Sequence, residues 1–115
     1  METRRVDRAE WKSFFDIFSD MLTGKRAEIE ITSHAIGDQI EAAGALLKWL
    51  TYDPKNDIIE IALEHLDHLI YRPLEVYLAF GPEGLAIIEV TDREGVQRII
   101  KLSNPYALPP PLWLS

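Results

Sequence analysis

A chain of 115 residues, 47% apolar, 27% charged and free of cysteine, predicts one globular domain burying about two-thirds of its unfolded surface, and excludes disulfides, thiolate zinc sites and cysteine nucleophiles. The net charge of −7 lies wholly within residues 53–94, where ten acids face three bases; such a field repels phosphate and argues against a DNA- or RNA-binding role. No apolar run approaches the roughly 20 residues of a spanning helix, and METRRVDRAEW lacks the apolar segment of a signal peptide, so a cytoplasmic protein with no membrane partner is expected.

The first element is predicted over DRAEWKSFFDIFSDMLTG. Asp7 and Glu10, three residues apart, have the spacing of a capping box, in which each side chain satisfies an unpaired amide of the first helical turn. Trp11, Phe14, Phe15, Phe18 and Leu22 then recur at helical spacing, and Gly24 supplies the stop. Because Lys12, Asp16 and Asp20 occupy the other side, the aromatic stripe reads as a core-facing surface and not as a membrane anchor. From residue 27 the period changes to two: Ile29 and Ile31 alternate with Glu28, Glu30 and Thr32, as in a strand with one wet face. DQIEAAGALLKWLT, residues 38–51, fits either a helix or a strand pattern; strand is preferred, with Gly44 marking a bulge. YDPKND is a turn in which Pro54 presets its backbone angle and the Asp and Asn side chains bond nearby amides. IIEIAL is a strand, and LEVYLAF, LAIIEV and VQRIIKL form a meander joined by the glycine-containing loops GPEG and TDREG.

This pattern predicts the α+β class: an N-terminal amphipathic helix followed by five or six antiparallel strands, strongly bent or closed into a small SH3-like or Sm-like barrel. Residues 1–103 form the single domain and residues 104–115 a proline-rich tail. In LAIIEV, apolar side chains fall on both faces, so a helix, a second subunit or the tail must cover the second face. The tail, NPYALPPPLWLS, favours an extended polyproline II conformation. Tyr106, Leu108, Leu112, Trp113 and Leu114 make it more apolar than a free linker needs to be, and they are the candidate partner-binding residues. Two uses are open to them: folding back over their own sheet, or docking onto a second copy or another protein.

No glycine-rich phosphate loop and no Gly-x-Ser-x-Gly elbow is present, and none of the five serines has a nucleophile's neighbourhood. Glu28 and Glu30 share a strand face, where outward acids ordinarily form the wet surface. His65 and His68, with Asp67 between them and His34 from a distant loop, are the candidates for a metal site. Positions three apart converge on a helix and diverge on a strand, so the metal reading depends on the local conformation. With no other chemistry indicated, neither a catalytic residue nor a cofactor is assigned.

Taken together, WKSFFDIFSD, LTYDPKNDIIEIAL, HLDHLIYRP and a closing strand after an Asp-x-x-Gly turn resemble a family of small uncharacterised bacterial proteins, a domain of unknown function. The resemblance spans residues 4 to about 102, implies a compact α+β domain and carries no catalytic residue; the proline-rich tail departs from it. The expected function is a non-catalytic binding or structural module able to self-associate as a homo-oligomer. The alternatives are a metal-binding or metal-dependent hydrolytic protein built on His65 and His68, and an Sm-like RNA binder, which the charge opposes.

Overall fold

The aromatic spacing forms the expected helix, α1 (Trp11–Leu22), with Trp11, Phe14, Phe15 and Leu22 buried. The computed structural model describes residues 2–35, 37–82 and 84–103. Around α1 the chain runs through β1 (Glu2–Val6), β2 (Arg26–Ser33), β3 (Gly37–Asp53), β4 (Ile58–Leu63), β5 (Asp67–Tyr71), β6 (Pro73–Gly81), β7 (Gly84–Asp92) and β8 (Gln97–Ser103). Among the described residues these strands make one antiparallel eight-stranded sheet in the order β1-β6-β7-β8-β2-β3-β4-β5. The α+β class therefore holds, but the sheet has two free edges, β1 and β5, and more strands than the five or six expected.

The two additional strands are β1 and β5. In β1, ETRRV, four polar residues precede the single buried Val6, so no apolar alternation marks it; it forms because β6 offers an edge, pairing Val6 with Val76 and Glu2 with Phe80. The capping box is also revised. Arg8–Glu10 forms a short 3-10 turn capped through the backbone, with the Glu10 amide donating to the Asp7 carbonyl at 2.9 Å; the Asp7 side chain lies instead 3.6 Å from Arg5. Entry into the helix is fixed by Trp11, whose indole N–H donates to the Val6 carbonyl at 2.9 Å and whose ring meets Tyr52 edge-on at 5.2 Å.

The ambiguous stretch 38–51 is a strand throughout, the preferred alternative. Gly44, at φ +67°, produces the register shift between Ala27↔Ala45 and Ile29↔Ala42, and the Arg26 guanidinium donates to its carbonyl at 2.6 Å. β3 pairs with β2 through this bulge as far as Leu46 and then with β4, from Leu47↔Leu63 to Asp53↔Ile58. That change of partner bends the sheet around its core. The helix seals the bent part: the Leu50 amide donates to Ser19 Oγ at 3.0 Å, and the Gly24 amide donates to the Leu47 carbonyl at 2.8 Å. Trp11 and Phe15 thereby reach a core that includes Ile29, Leu50, Ile59, Ile61, Ile70, Val76, Val90 and Ile100, all 1% exposed or less.

The turn after β3 follows its chemistry. Asp53 Oδ1 accepts from the Lys55 and Asn56 amides, and Asn56 donates back to Oδ2 at 2.7 Å. Asp57 then anchors a corner of the molecule. Its carboxylate accepts from Tyr52 at 2.7 Å and from Arg8 at 3.1 Å, while Arg8 also reaches the Pro73 carbonyl and stacks over Trp11 at 4.3 Å. Burial pushes the Asp57 carboxyl up, but the bonds from Tyr52 and Arg8 outweigh it and hold the group below the usual carboxylate range.

Candidate functional site

Twelve residues of helix cannot cover both halves of a bent sheet. The helix lies against β3, and on its other side a groove of about 280 Å³ remains open between α1 and the β1–β6 edge. Phe14, Ile17 and Phe18 form one wall; Leu78 and Phe80 of β6 form the other, with Arg4, Arg5 and Glu10 adding charge to the lining. The aromatic rings are already ordered by mutual contact, Phe14 lying 5.1 Å from Phe15 and 4.6 Å from Phe18. On the same helix Ile17 and Met21 are 61% and 64% exposed, an arrangement that water-facing helix positions do not favour. The groove is thus an apolar, aromatic-lined channel with a pre-formed wall, suited to an extended apolar segment.

Periodicity alone could have located part of this wall. The expected stripe of Trp11, Phe14, Phe15, Phe18 and Leu22 is wider than the face that β3 covers, and Ile17 extends it. Nothing in the sequence indicated that β1 would form and supply the groove's far edge.

The histidine candidates are not brought together. His65 sits in the bend between β4 and β5 with its side chain 87% exposed, 4.0 Å from Glu64. His68 points the other way, into the core opposite Ile61, and only 8% of it is exposed. Asp67, being one residue from His68 on a strand, faces outward, and His34 lies in the β2–β3 turn beside a recess it shares with Gly95 and Gln97. Among the described residues no group of three or more His, Asp or Glu side chains is placed to hold a metal ion. HLDHLIYRP contains strand β5; Ile70 is buried and Leu66 packs on the core, whereas Leu69 takes the outer face. The tail residues Tyr106, Leu108, Leu112, Trp113 and Leu114 lie outside the described residues.

The outer faces carry two carboxylate pairs. Glu28 and Glu30, on the wet face of β2, both approach Lys101 of β8, at 3.5 and 3.7 Å. This is a surface ion-pair cluster of small energetic value. Glu60 of β4 accepts from the Trp49 indole at 2.9 Å. That bond, together with one from Asp67, holds the Glu60 carboxyl below its usual range, while sharing a hydrogen with Glu60 raises Asp67. Trp49, 44% exposed, is fixed on the outer face by this contact.

Comparison with known proteins bears on the fold and on the tail. The DUF5335 family of unknown function matches residues 2–111. An uncharacterized protein of Aquifex aeolicus (strain VF5) is 36% identical over 110 residues, covering 95% of this chain and 99% of that protein. No solved structure matches. The family match continues through Asn104–Pro111, so most of the proline-rich tail, expected to depart from the family, falls within it. It also begins at residue 2 and so includes β1.

Proposed function

Because the chain belongs to the DUF5335 family, whose function is unknown, we propose from its geometry that it is a non-catalytic binding module whose α1–β6 groove holds an extended apolar segment, its own tail of residues 104–115. The carrying observation is the open groove itself, walled by Phe14, Ile17, Phe18, Leu78 and Phe80. Proline-bearing extended segments lose little conformational freedom on docking and are held by aromatic walls of this kind. Strand registers support delivery within one molecule. Lys101 pairs with Ile87 and Ile87 with Ala79, so β8 ends in the part of the sheet that holds Phe80, two strands away. At the usual strand spacing that separation is about 10 Å. Twelve residues of polyproline II reach roughly 37 Å.

The chemistry of the tail also suits a second copy, and exchange of tails would give a homo-oligomer. Deleting residues 104–115 separates these outcomes. Docking within one molecule leaves the solution mass of a monomer unchanged while increasing binding of an apolar dye. A contribution of about 1 kcal/mol would lower the melting midpoint by roughly 4–8 °C. A full-length dimer that becomes monomeric on deletion would assign the groove to the partner's tail, and an unchanged melt and dye signal would sink the docking reading. We take the protein to act in the cytoplasm, a reading supported by the lack of cysteine and by the absence, among the described residues, of any helix long and apolar enough to cross a membrane. We also propose, for architecture alone, a likeness to small SH3-like or Sm-like folds, supported by a single α-helix near the N-terminus packed on an antiparallel sheet. It lends no weight to RNA binding against the acidic field.

A further inference from the structure

The acidic segment 53–94 contains three bases, Lys55, Arg72 and Arg93. Both arginines converge, with Arg98 of β8, on one cleft of about 300 Å³ between the β5–β6 corner and the β7–β8 turn; Tyr71, Asp92 and Glu94 complete its lining. The backbone sets two of the three side by side. Arg72 adopts a left-handed conformation, φ +50°, which a long side chain rarely takes, and it is clamped there: its amide donates to the Asp57 carbonyl at 2.9 Å, and its own carbonyl accepts from the Arg93 amide at 3.1 Å. A strained backbone held by bonds on both sides, at the lip of a cleft, is the kind of outlier that functional sites retain.

The acids in the cleft neutralise the arginines unequally. Asp92 is buried and structural: its Oδ1 accepts from the Glu94 and Val96 amides, and its Oδ2 pairs with Arg98. Glu94 is different. It meets Arg72 at 2.9 Å with both side chains exposed, 70% and 61%. Such a pair is weak and readily exchanged. The Arg93 guanidinium has no hydrogen bond or ion pair among the described residues, its charge acting on the Asp57 carboxylate at longer range, and Arg98 Nε is buried without a partner among them. One cleft therefore combines a guanidinium with no hydrogen-bonded partner among the described residues, a displaceable surface carboxylate and an exposed phenol, Tyr71.

We propose that this cleft binds a compact oxyanion, the carboxylate or phosphate group of a small molecule, between Arg72 and Arg93 with Arg98 behind and Tyr71 at the side. Forked guanidinium donors match the paired oxygens of either group. The chain's net charge of −7 disfavours a long polyanion, so the ligand is small, and its anionic group takes the place that Glu94 occupies on Arg72.

The test is a nitrogen-15 NMR titration of the full chain at constant ionic strength, with inorganic phosphate in one arm and succinate in the other. Saturable shifts confined to the amides of residues 71, 72, 93, 94 and 98 are expected, and the arm that saturates at lower concentration identifies the anion class. Arg93→Gln, an exposed change, should weaken that binding by roughly tenfold, the loss of one charge-assisted pair. Glu94→Gln should tighten it, because Arg72 is freed; a merely structural Arg72–Glu94 pair would not give this gain. Shifts that fail to saturate or scatter over the surface, or an affinity unchanged in both variants, would overturn the proposal.

Discussion

His68, grouped with His65 and His34 as a metal candidate in the sequence, is separated from both by the fold. On β5 its imidazole enters the core, Nε2 has no hydrogen-bond partner among the described residues, and the group is displaced downward in pKa, first by burial and then by the positive charge of Arg98. The fold accordingly favours the neutral ring. An unfolded histidine takes a proton near pH 6.5, so the stability associated with the neutral ring is complete above that pH and is lost as pH falls below it toward the depressed folded value. His68→Leu should remove this acid sensitivity. At neutral pH it should leave stability unchanged or raise it by up to about 1 kcal/mol, since a buried polar atom without a partner is replaced by an apolar one. Urea denaturation at pH 5.5 and pH 7.5 checks both statements; a variant with the wild-type pH dependence would place the acid-sensitive group elsewhere. The metal reading depended on whether HLDHLIYRP is helical or extended. Which it would be was not legible, because Leu66, Leu69 and Ile70 fit a short connector as well as a strand.

At the scale of elements, legibility followed apolar contrast. The helix, β2, β4 and the three strands of the meander each carry a periodic row of large apolar residues, and each formed where that row lies. The row for β4, Ile58–Leu63, coincides with IIEIAL. β1 lacks such a row, because an edge strand needs only one buried side chain and benefits from charge. The capping box was legible but wrong for a different reason. A 3-10 turn intervenes between Asp7 and α1, so the backbone satisfies the amide that the Asp7 side chain was expected to reach. Gly44 was correctly read as a bulge, and its energetics can be isolated. A Cβ there would meet no atom within 4 Å, so Gly44→Ala adds no clash and tests the φ of +67° alone. The substitution should cost about 1–2 kcal/mol, the penalty for placing an L-residue in the left-handed region, measured as a lower urea midpoint with unchanged slope. A variant as stable as the parent would show that the β2–β3 register shift forms without that conformation.

At the scale of the whole molecule, the acids concentrate along the chain in residues 53–94, while the groove between α1 and β6 is lined with aromatic rings and by Arg4, Arg5 and Glu10. Composition made the charge map legible from the start; the groove was not, because it exists only where β1 joins β6 and the helix leaves the β6 side uncovered. The central claim is that this groove holds the tail. A chain without cysteine allows a direct test, with Ile17→Cys and Leu112→Cys introduced together in the full-length protein and Ile40→Cys with Leu112→Cys as the control. Ile40 is 55% exposed on the β2–β3 arm, away from the groove. Under mild oxidation in dilute solution, the first pair is expected to close an intramolecular disulfide much faster than the control. Equal rates for the two pairs would describe a tail that moves freely over the surface, and would contradict the claim.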